Sequence, residues 1–559
     1  MNYLIGTAIA LGLLIFVHEL GHFLLAKRAG VGVQKFSLGF GPKLIGKKWG
    51  ETEYVISAFP LGGYVKLEGE SPDDEVADKQ KSFTHKPPFV KLSIVAAGPL
   101  FNIIFAVLII TAIYAMGITT LSPFVADVEK GMPADKAGLK YGDEIVAIDG
   151  STINSWEEMT GIIHTSGGKS MELTINREGK TFKKTVTPVE KEAPNIFGEK
   201  SKISLLGILP ITLESKIGGV KKGLLAEKLG FKPGDLIKNV GNKKIEVWKQ
   251  LEEIDIANIP KPVEIILQRQ RGEDKENSKD KTTEDIKIEI PDNEIVKNKN
   301  LIDLLGIETT ELYIEGTKEG SPAELGGLKP FDKIIGVNGN EIKSWMELNE
   351  LIKNNPEKKV DLIFERGGEK KSLSLIPRKE KKRNIYDEKI DIGVIGIYSA
   401  NSYTEPKLKE VKYPLHVAFV NSVERTENLV VIMFKGIYML VTGKVSSKNI
   451  SGPIAIAKMA GDQAKKGLND FAFFVAFISI NLGIVNFIPL GTITDGGLIL
   501  LFIIEGIIRK PVNLKFREFT QYIGLVLVFA LMGFAIYNDF NRYLGDIIDF
   551  FARFIGNKG

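Results

Sequence analysis

The sequence contains no cysteine among its 559 residues. This absence excludes disulfide bonds and thiolate metal sites, so a bound metal would have to use histidine, aspartate or glutamate. The sequence also lacks an excess of either charge, with 73 Lys and Arg against 69 Asp and Glu. Proteins that bind nucleic acid usually carry a concentrated basic surface, and the even balance gives no support for that class.

Apolar residues are concentrated in four runs that are long enough to cross a membrane, which takes about 20 mostly apolar residues. The runs are residues 4–25, 89–118, 471–490 and 522–537. The first run lacks the cationic leader and the small-residue cleavage site of a signal peptide, so we expect it to be retained as a span. The sequence therefore predicts a polytopic α-helical membrane protein with four spans.

Basic residues follow the first span and the third span. They are Lys27, Arg28, Lys35, Lys43, Lys47 and Lys48 after the first, and Arg509, Lys510, Lys515 and Arg517 after the third. By the positive-inside rule both loops are cytoplasmic. We therefore expect both chain ends and residues 120–465 on the outer side of the membrane.

The segment between the second and third spans repeats one motif three times. Each copy has a turn aspartate, followed thirteen residues later by a tryptophan. The aspartates are Asp143, Asp235 and Asp332, and the tryptophans are Trp156, Trp248 and Trp345. Turn residues next to β-branched strands predict a small α+β domain in each copy. The third copy has Phe331 where the others have a turn glycine, so we expect its loop to be altered.

A second repeated element places a glycine between aliphatic residues, at Gly207, Gly306 and Gly396. Each glycine follows the tryptophan of one copy, by 51, 58 and 51 residues. If the element opened each domain, the first copy would lack one and the last element would belong to no copy. If the element closes each domain, every copy contains one. Together the two elements resemble PDZ domains, of the circularly permuted bacterial type. The resemblance implies that the three glycines lie in loops that bind a peptide carboxylate.

Two roles remain open for these domains. They capture a peptide by adding a strand to an exposed sheet edge, or they are spacers or steric filters without a ligand. The charged stretch 269–299 predicts a solvated hairpin inserted in the second copy. The resulting plan has a membrane half at 1–120, PDZ domains at 121–210, 211–310 and 311–400, an amphipathic helical linker at 401–465, and a second membrane half at 466–559.

Histidine is scarce, with five residues, yet two of them lie four residues apart in the first apolar run. His18, Glu19 and His22 form the pattern His-Glu-x-x-His. Residues four apart share one face of a helix, so both imidazoles can reach one cation while Glu19 points at its bound water. Ionisable groups in a bilayer are costly and usually functional. The pattern predicts a single catalytic zinc.

A catalytic zinc usually takes three protein ligands and leaves a fourth position for water. Asp495 is the only ionisable residue between positions 471 and 504, and the second span contains no Asp, Glu or His. Elimination therefore indicates Asp495 as the third ligand. Its neighbours Pro489, Gly496 and Gly497 would break a helix, and irregular backbone at membrane depth requires protein or a water-filled cavity around it.

Stretches in both membrane halves resemble the bacterial site-2 protease family of intramembrane zinc metalloproteases, in the family's order. They are residues 17–23, 36–41, 60–66, 96–102, 449–458 and 481–486. The resemblance implies zinc ligation by His18, His22 and Asp495, with Glu19 as general base. It also implies that Asn486 and Pro489 belong to the substrate-binding segment, where Asn486 holds the substrate or its oxyanion.

The sequence departs from the family pattern before Asp495. The interval from Pro489 is one residue longer than in the family, and Thr494 replaces the usual leucine. On a regular helix one added residue rotates all later residues by about 100°, which would turn Asp495 away from the metal. We expect an unwound segment that absorbs the addition. Three PDZ copies also exceed the usual one or two.

Residues 54–66 alternate apolar positions around Gly62 and Gly63. In the family such a hairpin enters the membrane and pairs with an extended substrate, so the resemblance implies substrate binding at both glycines. The alternative is a hairpin on the cytoplasmic surface. Residues 413–441 have apolar positions at helical spacing, and we expect them in the membrane interface or beneath the PDZ domains.

The resemblance implies an endopeptidase of the bacterial inner membrane that cleaves single-span proteins. Its substrates would be anti-sigma factors already trimmed outside by another protease, or signal-peptide remnants, with the PDZ domains controlling access. A non-catalytic PDZ scaffold with a structural zinc is the rival class, but a structural site needs no base such as Glu19. A zinc transporter would need several acidic or histidine residues along a path, and the spans contain one cluster.

Overall fold

The computed structural model describes residues 2–70, 78–194, 199–270, 283–295, 300–383 and 389–556. The chain forms two compact units. The membrane unit joins both ends of the chain, Met1–Ile118 and Glu410–Gly559. The repeat unit is the segment Thr119–Lys409 between them.

The membrane unit begins with helix α1 (Asn2–Arg28), strands β1 (Val33–Trp49) and β2 (Thr52–Leu67), and helix α2 (Pro88–Met116). Proline suits the first position of α2, because the amide hydrogen at that position has no partner within the helix. Gly117, with a φ of 117°, ends the helix in a conformation that side chains rarely adopt. Sequence-local signals therefore set both ends of α2.

Strands β1 and β2 form a curled antiparallel sheet. Residues 35–38 of β1 lie between two parts of β2, since they pair with residues 53–56 on one side and with residues 63–66 on the other. Leu44, Ile45 and Trp49, toward the far end of β1, are exposed. Residues 63–66 are paired on one side only in the described part of the chain, so they form an edge of the sheet.

The repeat unit contains three successive copies of one arrangement, after the short strand β3 (Ile118–Leu121). The first copy comprises β4 (Asp127–Val128), α3 (Pro133–Lys136), β5 (Glu144–Ile148), β6 (Ser151–Thr152), α4 (Trp156–Thr165), β7 (Met171–Arg177), β8 (Lys180–Val186), β9 (Val189–Pro194), β10 (Lys200–Leu205) and β11 (Ile208–Leu209). The second comprises β12 (Ile217–Val220), α5 (Leu225–Lys228), β13 (Leu236–Val240), β14 (Lys243–Lys244), α6 (Trp248–Glu252), β15 (Val263–Gln270), β16 (Thr283–Ile290), α7 (Leu301–Leu305) and β17 (Ile307–Thr309). The third comprises β18 (Ile314–Thr317), α8 (Pro322–Leu325), β19 (Lys333–Val337), β20 (Asn340–Glu341), α9 (Trp345–Lys353), β21 (Val360–Arg366), β22 (Glu369–Leu375), β23 (Arg378–Arg383), β24 (Lys389–Val394) and β25 (Ile397–Ser399).

Each copy closes on itself. Its last strand pairs antiparallel with its own first strand, as β11 does with β4, β17 with β12 and β25 with β18. Each also has a four-stranded sheet, with the orders β6-β5-β7-β8, β14-β13-β15-β16 and β20-β19-β21-β22. The buried apolar residues form one separate core per copy. The glycine element therefore ends each copy, as the interval argument predicts.

A buried ion pair supports the turn of each copy. Asp143, Asp235 and Asp332 are at most 1% exposed. Each accepts hydrogen bonds from an arginine that lies 34 residues later, and the same arginine donates to a glycine carbonyl oxygen near the turn. The arginines are Arg177, Arg269 and Arg366. Hydrogen bonding to the aspartate raises the pKa of each arginine above its usual value. Each arginine thus compensates the charge of its aspartate, which would be costly to bury alone.

The turn of the third copy is not altered, contrary to the expectation from Phe331. The Lys329 N–H donates to Asp332 at 2.8 Å, as its counterparts do in the other two copies. Phe331 has a φ of 66°, in the left-handed region that Gly142 and Gly234 also occupy. A side chain in that region costs about 1–2 kcal/mol. The aspartate therefore preserves the turn despite a strained residue.

The charged stretch 269–299 was expected to be a solvated hairpin. Its strands β15 and β16 do pair antiparallel from Val263 to Ile290. Residues 271–282 and 296–299 lie outside the described residues. Arg269, the first residue of the stretch, is not simply solvated, because it forms the ion pair with Asp235.

The chain returns through strand β26 (Leu408–Val411) to five helices of the membrane unit. They are α10 (Leu415–Val441), α11 (Pro453–Lys466), α12 (Leu468–Phe487), α13 (Asp495–Ile508) and α14 (Leu514–Gly556). Helix α2 packs against α1, α10, α12 and α13. Among the described residues, four helical segments are long and apolar enough to cross a membrane, Ala10–Arg28, Pro88–Met116, Leu468–Phe487 and Leu514–Tyr543. Each predicted run overlaps one of them.

Helix α10 corresponds to the helical pattern predicted at 413–441. It packs on α2 and α12, and the hydroxyl groups of Ser422 and Thr111 form a buried hydrogen bond of 2.7 Å. The stretch is therefore a component of the membrane unit. Its many exposed apolar side chains, such as Phe419, Val423 and Val431, lie on the faces that α2 does not cover.

Candidate metal centre

The two histidines of α1 meet side by side, as their four-residue spacing requires. The Nε2 atoms of His18 and His22 are 3.2 Å apart. His18 is 9% exposed, so its ring is nearly buried within the membrane unit. One face of α1 therefore directs two imidazole nitrogens to a common point.

Asp495 approaches that point from the first turn of α13. Its Oδ2 atom lies 3.1 Å from His18 Nε2 and 3.6 Å from His22 Nε2. In the described part of the chain, these three residues are the group of histidine and acidic side chains whose ligand atoms converge within 4.8 Å of one another. Two imidazoles and a carboxylate form a donor set that fits a catalytic zinc with an open fourth position.

An unwound segment absorbs the added residue before Asp495. Helix α12 ends at Phe487, a short 3-10 turn spans Gly491–Ile493, and α13 starts at Asp495. The Thr494 hydroxyl accepts from the N–H groups of Leu490 and Gly497 and donates to the Ile488 carbonyl oxygen. Thr494 thus caps α13 and ties the turn to it, a role that a leucine at this position could not fill.

Small residues let the helices approach closely at this site. A Cβ atom on Gly98 of α2 would lie 2.3 Å from His22 Nε2, and one on Gly21 of α1 would lie 2.4 Å from the Ala97 carbonyl oxygen. A Cβ atom on Gly497 would lie 1.5 Å from the Gly491 carbonyl oxygen. Glycine is therefore required on each of the three elements, as is common where membrane helices pack tightly.

Helix α2 also contacts the far nitrogen of each histidine ring. The Ile94 carbonyl oxygen is 2.9 Å from His22 Nδ1. The side-chain amide of Asn102 is 3.2 Å from His18 Nδ1, and this asparagine is fully buried. Such partners orient the ring of a metal-binding histidine.

A cavity of about 290 Å³ opens beside the three residues. Glu19 and Asn486 line it, together with Tyr64 and Val65 of β2. The Val65 backbone N–H lies close to the carboxylate of Glu19. The base expected from the sequence therefore lies on the same cavity as the histidines, next to the edge of the β1-β2 sheet.

Of the other three residues predicted to bind substrate, one lies close to the site and two do not. Gly63 is close to the site, because a Cβ atom there would lie 3.1 Å from Glu19 Cγ. Gly62 faces the ring of Phe40 instead, because a Cβ atom on Gly62 would lie 1.9 Å from Phe40 Cε2. Pro489 is exposed in the segment after α12 and is not among the residues that line the cavity.

The predicted loop glycines of the repeats occupy equivalent positions. Gly207, Gly306 and Gly396 have φ values of 76°, 74° and 75° and directly precede β11, β17 and β25. The second and third copies have cavities of about 460 and 670 Å³ that include Gly306 and Gly396. The cavity of the third copy lies between α9 and β24 and is lined by Lys353 and Lys382.

Two sets of residues that matter in the structure were not predicted from the sequence. The three arginines of the ion pairs recur at a constant interval of 34 residues after the aspartates, a signal that is visible in the sequence. Asn102 lies in a stretch that resembles the family, but no spacing in the sequence relates it to His18. The packing of α1 against α2 alone brings these two residues together.

Comparison with known proteins gives matches along almost the whole chain. The family model described as peptidase family M50 matches residues 6–531. A Vibrio cholerae protein provisionally named a zinc metalloprotease is 30% identical over 96% of this chain and 98% of its own length. The Escherichia coli regulator of sigma-E protease RseP is 30% identical over 96% of this chain and 97% of its own. A solved PDZ domain from Listeria innocua is 27% identical over 16% of this chain and 91% of its own, with a TM-score of 0.13.

The family match includes both helices that carry the histidines and the aspartate. The relatives extend over nearly the full length of this chain and of their own. The protein therefore belongs to peptidase family M50, the site-2 protease family, and is a membrane metalloprotease.

Proposed function

We propose that the protein is an endopeptidase that cleaves the transmembrane segments of single-span membrane proteins, using one zinc ion held by His18, His22 and Asp495. The observation that carries this proposal is the convergence of the three ligand atoms within 4.8 Å, from helices at opposite ends of the chain. His18 and His22 lie in a helix that is apolar enough to cross a membrane, so the chemistry would occur at membrane depth.

When bound, zinc polarises a carbonyl and makes water a better nucleophile. Glu19 shares the cavity with the three ligand residues, so its carboxylate can take a proton from water and deliver it to the leaving amine. Asn486 lines the same cavity, and its amide can donate a hydrogen bond to the oxygen of the scissile carbonyl.

A peptide bond inside a helix is shielded by the helix's own hydrogen bonds, so the substrate must be locally extended. Residues 63–66 offer an edge that can pair with an extended strand, and Val65 of this edge contacts Glu19. Strand addition at this edge would place the scissile bond beside the ligands and satisfy the freed backbone groups. Gly63 suits this role because it permits the close approach of β2 to α1.

The three repeats act, in this proposal, as circularly permuted PDZ domains at 121–210, 211–310 and 311–400 that control access. The self-closing strand pairs and the separate cores support this division. The cavity between α9 and β24, with two lysines on its lining, suits a peptide that ends in a carboxylate. The domains then favour substrates with a short outer segment.

The likeness to regulators of sigma-E protease extends the proposal to substrate and location. Substrates are single-span proteins of the anti-sigma-factor type, trimmed on the outer side by another protease, and remnants of signal peptides. The protein lies in the bacterial inner membrane with the repeats and both chain ends outside. The basic residues after the first and third spans support this orientation.

The deciding experiment uses the full-length protein and its Glu19→Gln and Asp495→Asn variants, purified side by side. We expect E19Q to keep bound zinc but to lose cleavage of a single-span model substrate by about 10²-fold or more. D495N should lose zinc. If E19Q still cleaves at the wild-type rate, the enzyme proposal fails, and zinc retained by D495N removes the third-ligand assignment.

The access role has a separate test. The same transmembrane segment is offered with a short outer tail and with a folded outer domain. The proposal predicts that only the short form is cleaved efficiently by the wild type. Equal rates for both forms would leave the repeats as spacers.

A further inference from the structure

The side-chain amide of Asn102 contacts the ring of His18. The present orientation of the amide makes a hydrogen bond only if His18 Nδ1 carries no hydrogen. Its Nδ2 atom faces His18 Nδ1 at 3.2 Å, and its Oδ1 atom has no hydrogen-bond partner within the described residues. The side chain is fully buried, so water does not satisfy this oxygen from the surface. A buried carbonyl oxygen without a partner costs about 1–3 kcal/mol.

The tautomer of His22 is set by a backbone group. The Ile94 carbonyl oxygen, 2.9 Å from His22 Nδ1, can only accept a hydrogen bond, so Nδ1 must carry the hydrogen. The lone pair of Nε2 then points to Asp495 and His18. This is the form of imidazole that binds a metal through Nε2.

The tautomer of His18 depends on Asn102 in the same way, but an amide can present either a donor or an acceptor. With Nδ2 toward the ring, Nδ1 must accept, and the hydrogen lies on Nε2, the atom that faces Asp495. With the amide rotated by 180°, Oδ1 accepts from Nδ1–H and the Nε2 lone pair is free. Only the second arrangement lets His18 bind a metal through Nε2.

We propose that Asn102 is a positioning residue for the metal centre, and that its side-chain oxygen accepts a hydrogen bond from His18 Nδ1–H to hold this ring in its metal-binding tautomer. The inference rests on the proposed ligands His18, His22 and Asp495. Helix α2 then orients both rings, one through the backbone at Ile94 and the other through the side chain at Asn102. Rotating the amide gives the unpartnered Oδ1 atom the ring N–H as its donor, and metal binding through Nε2 favours this orientation.

The test measures the zinc dissociation constant of the full-length protein by competition with a chelator. Asn102→Leu keeps the approximate size and removes the acceptor, and we expect zinc to bind about 10- to 100-fold more weakly. Asn102→Asp keeps an oxygen toward His18 and should retain the wild-type affinity. The absorption spectrum of the cobalt-substituted N102D protein should match the cobalt wild type, because the same three ligands hold the same geometry.

Thr111→Val provides the matched control. Thr111 lies nine residues after Asn102 on the same helix, about 13 Å along its axis, and the substitution removes its buried hydrogen bond to Ser422. Its zinc affinity should equal that of the wild type, and thermal unfolding of each metal-free variant reports any general damage to the membrane unit.

The outcomes separate this inference from the proposed function. Wild-type zinc affinity in N102L would overturn the inference. Weakened binding in N102D would also overturn it, because the carboxylate supplies the acceptor, and this comparison holds even if N102L does not fold. If the wild-type protein itself binds no zinc, the proposed zinc site is wrong, and the proposed function fails with it.

Discussion

The hydroxyl of Thr494 is expected to hold Asp495 in position to bind zinc. It makes three hydrogen bonds, from Leu490 N–H at 3.2 Å, from Gly497 N–H at 3.3 Å and to the Ile488 carbonyl oxygen at 2.9 Å. Thr494→Val has nearly the same shape and removes all three. The substitution therefore tests whether these hydrogen bonds set the position of the aspartate.

The magnitude can be worked out from the three bonds. Loss of a helix N-cap costs about 1 kcal/mol, and each further hydrogen bond contributes about 0.5–1.5 kcal/mol. The bent segment should lose about 2–4 kcal/mol in total from these contributions. If zinc binding has to restore the segment, the dissociation constant should rise by about 30- to 700-fold, since 1.4 kcal/mol corresponds to a factor of ten.

The assay is chelator competition on the purified full-length protein. Thr494→Ser keeps the hydroxyl and should bind zinc as the wild type does. Thr442→Val is the control for loss of a threonine hydroxyl elsewhere, since the Thr442 hydroxyl donates to the Tyr438 and Met439 carbonyl oxygens at the end of α10. An unchanged dissociation constant in T494V would refute the reasoning and mean that Asp495 is held by the glycine contacts alone.

Three further predictions concern other close contacts. Gly98→Ala should abolish zinc binding, because the new Cβ would lie 2.3 Å from His22 Nε2; Gly436→Ala, with open space around it, should not affect the bound zinc measured by elemental analysis. Arg269→Met should destabilise the second repeat by about 3–5 kcal/mol, because it leaves Asp235 buried and unpaired. Faster amide hydrogen exchange in β13 and β15, with unchanged exchange in the third repeat, would confirm this, and uniform protection would contradict it. Phe331→Gly should stabilise the third repeat by about 1 kcal/mol by removing left-handed strain; slower hydrogen exchange is the expected result, and faster exchange would mean that the partly exposed ring contributes more than the strain costs.

Local patterns were sufficient to predict several elements. The apolar runs predicted helices that span Pro88–Met116 and Leu468–Phe487, because length and composition determine which segments a bilayer accepts. The aspartate-to-tryptophan interval predicted three copies, and each proves to have its own core. The His-Glu-x-x-His spacing predicted the shared face of α1, since helical geometry alone fixes it.

Other features could not be predicted because they depend on contacts between distant parts of the chain. The altered turn expected at Phe331 did not occur, because the hydrogen bonds of Asp332 outweigh the strain of one residue. The extra residue before Asp495 could have rotated its carboxylate away from the two histidines, and the outcome depended on whether the backbone stayed helical. Packing of the 3-10 turn against α13 through Gly491 and Gly497 decided it.

The sequence by itself predicted the membrane helices, the repeated copies and the residues that we propose to bind the metal. The helices follow from the length of the apolar runs, and the copies follow from an interval that recurs along the sequence. The site residues follow from side-chain chemistry, because the spans offer few other groups that can bind a metal. The tertiary structure alone decided that Asp495 reaches the two histidines, that Glu19 lies against the sheet edge at Val65, and that Asn102 contacts His18. These relations join residues that are far apart in the chain, and only helix packing brings them within bonding distance.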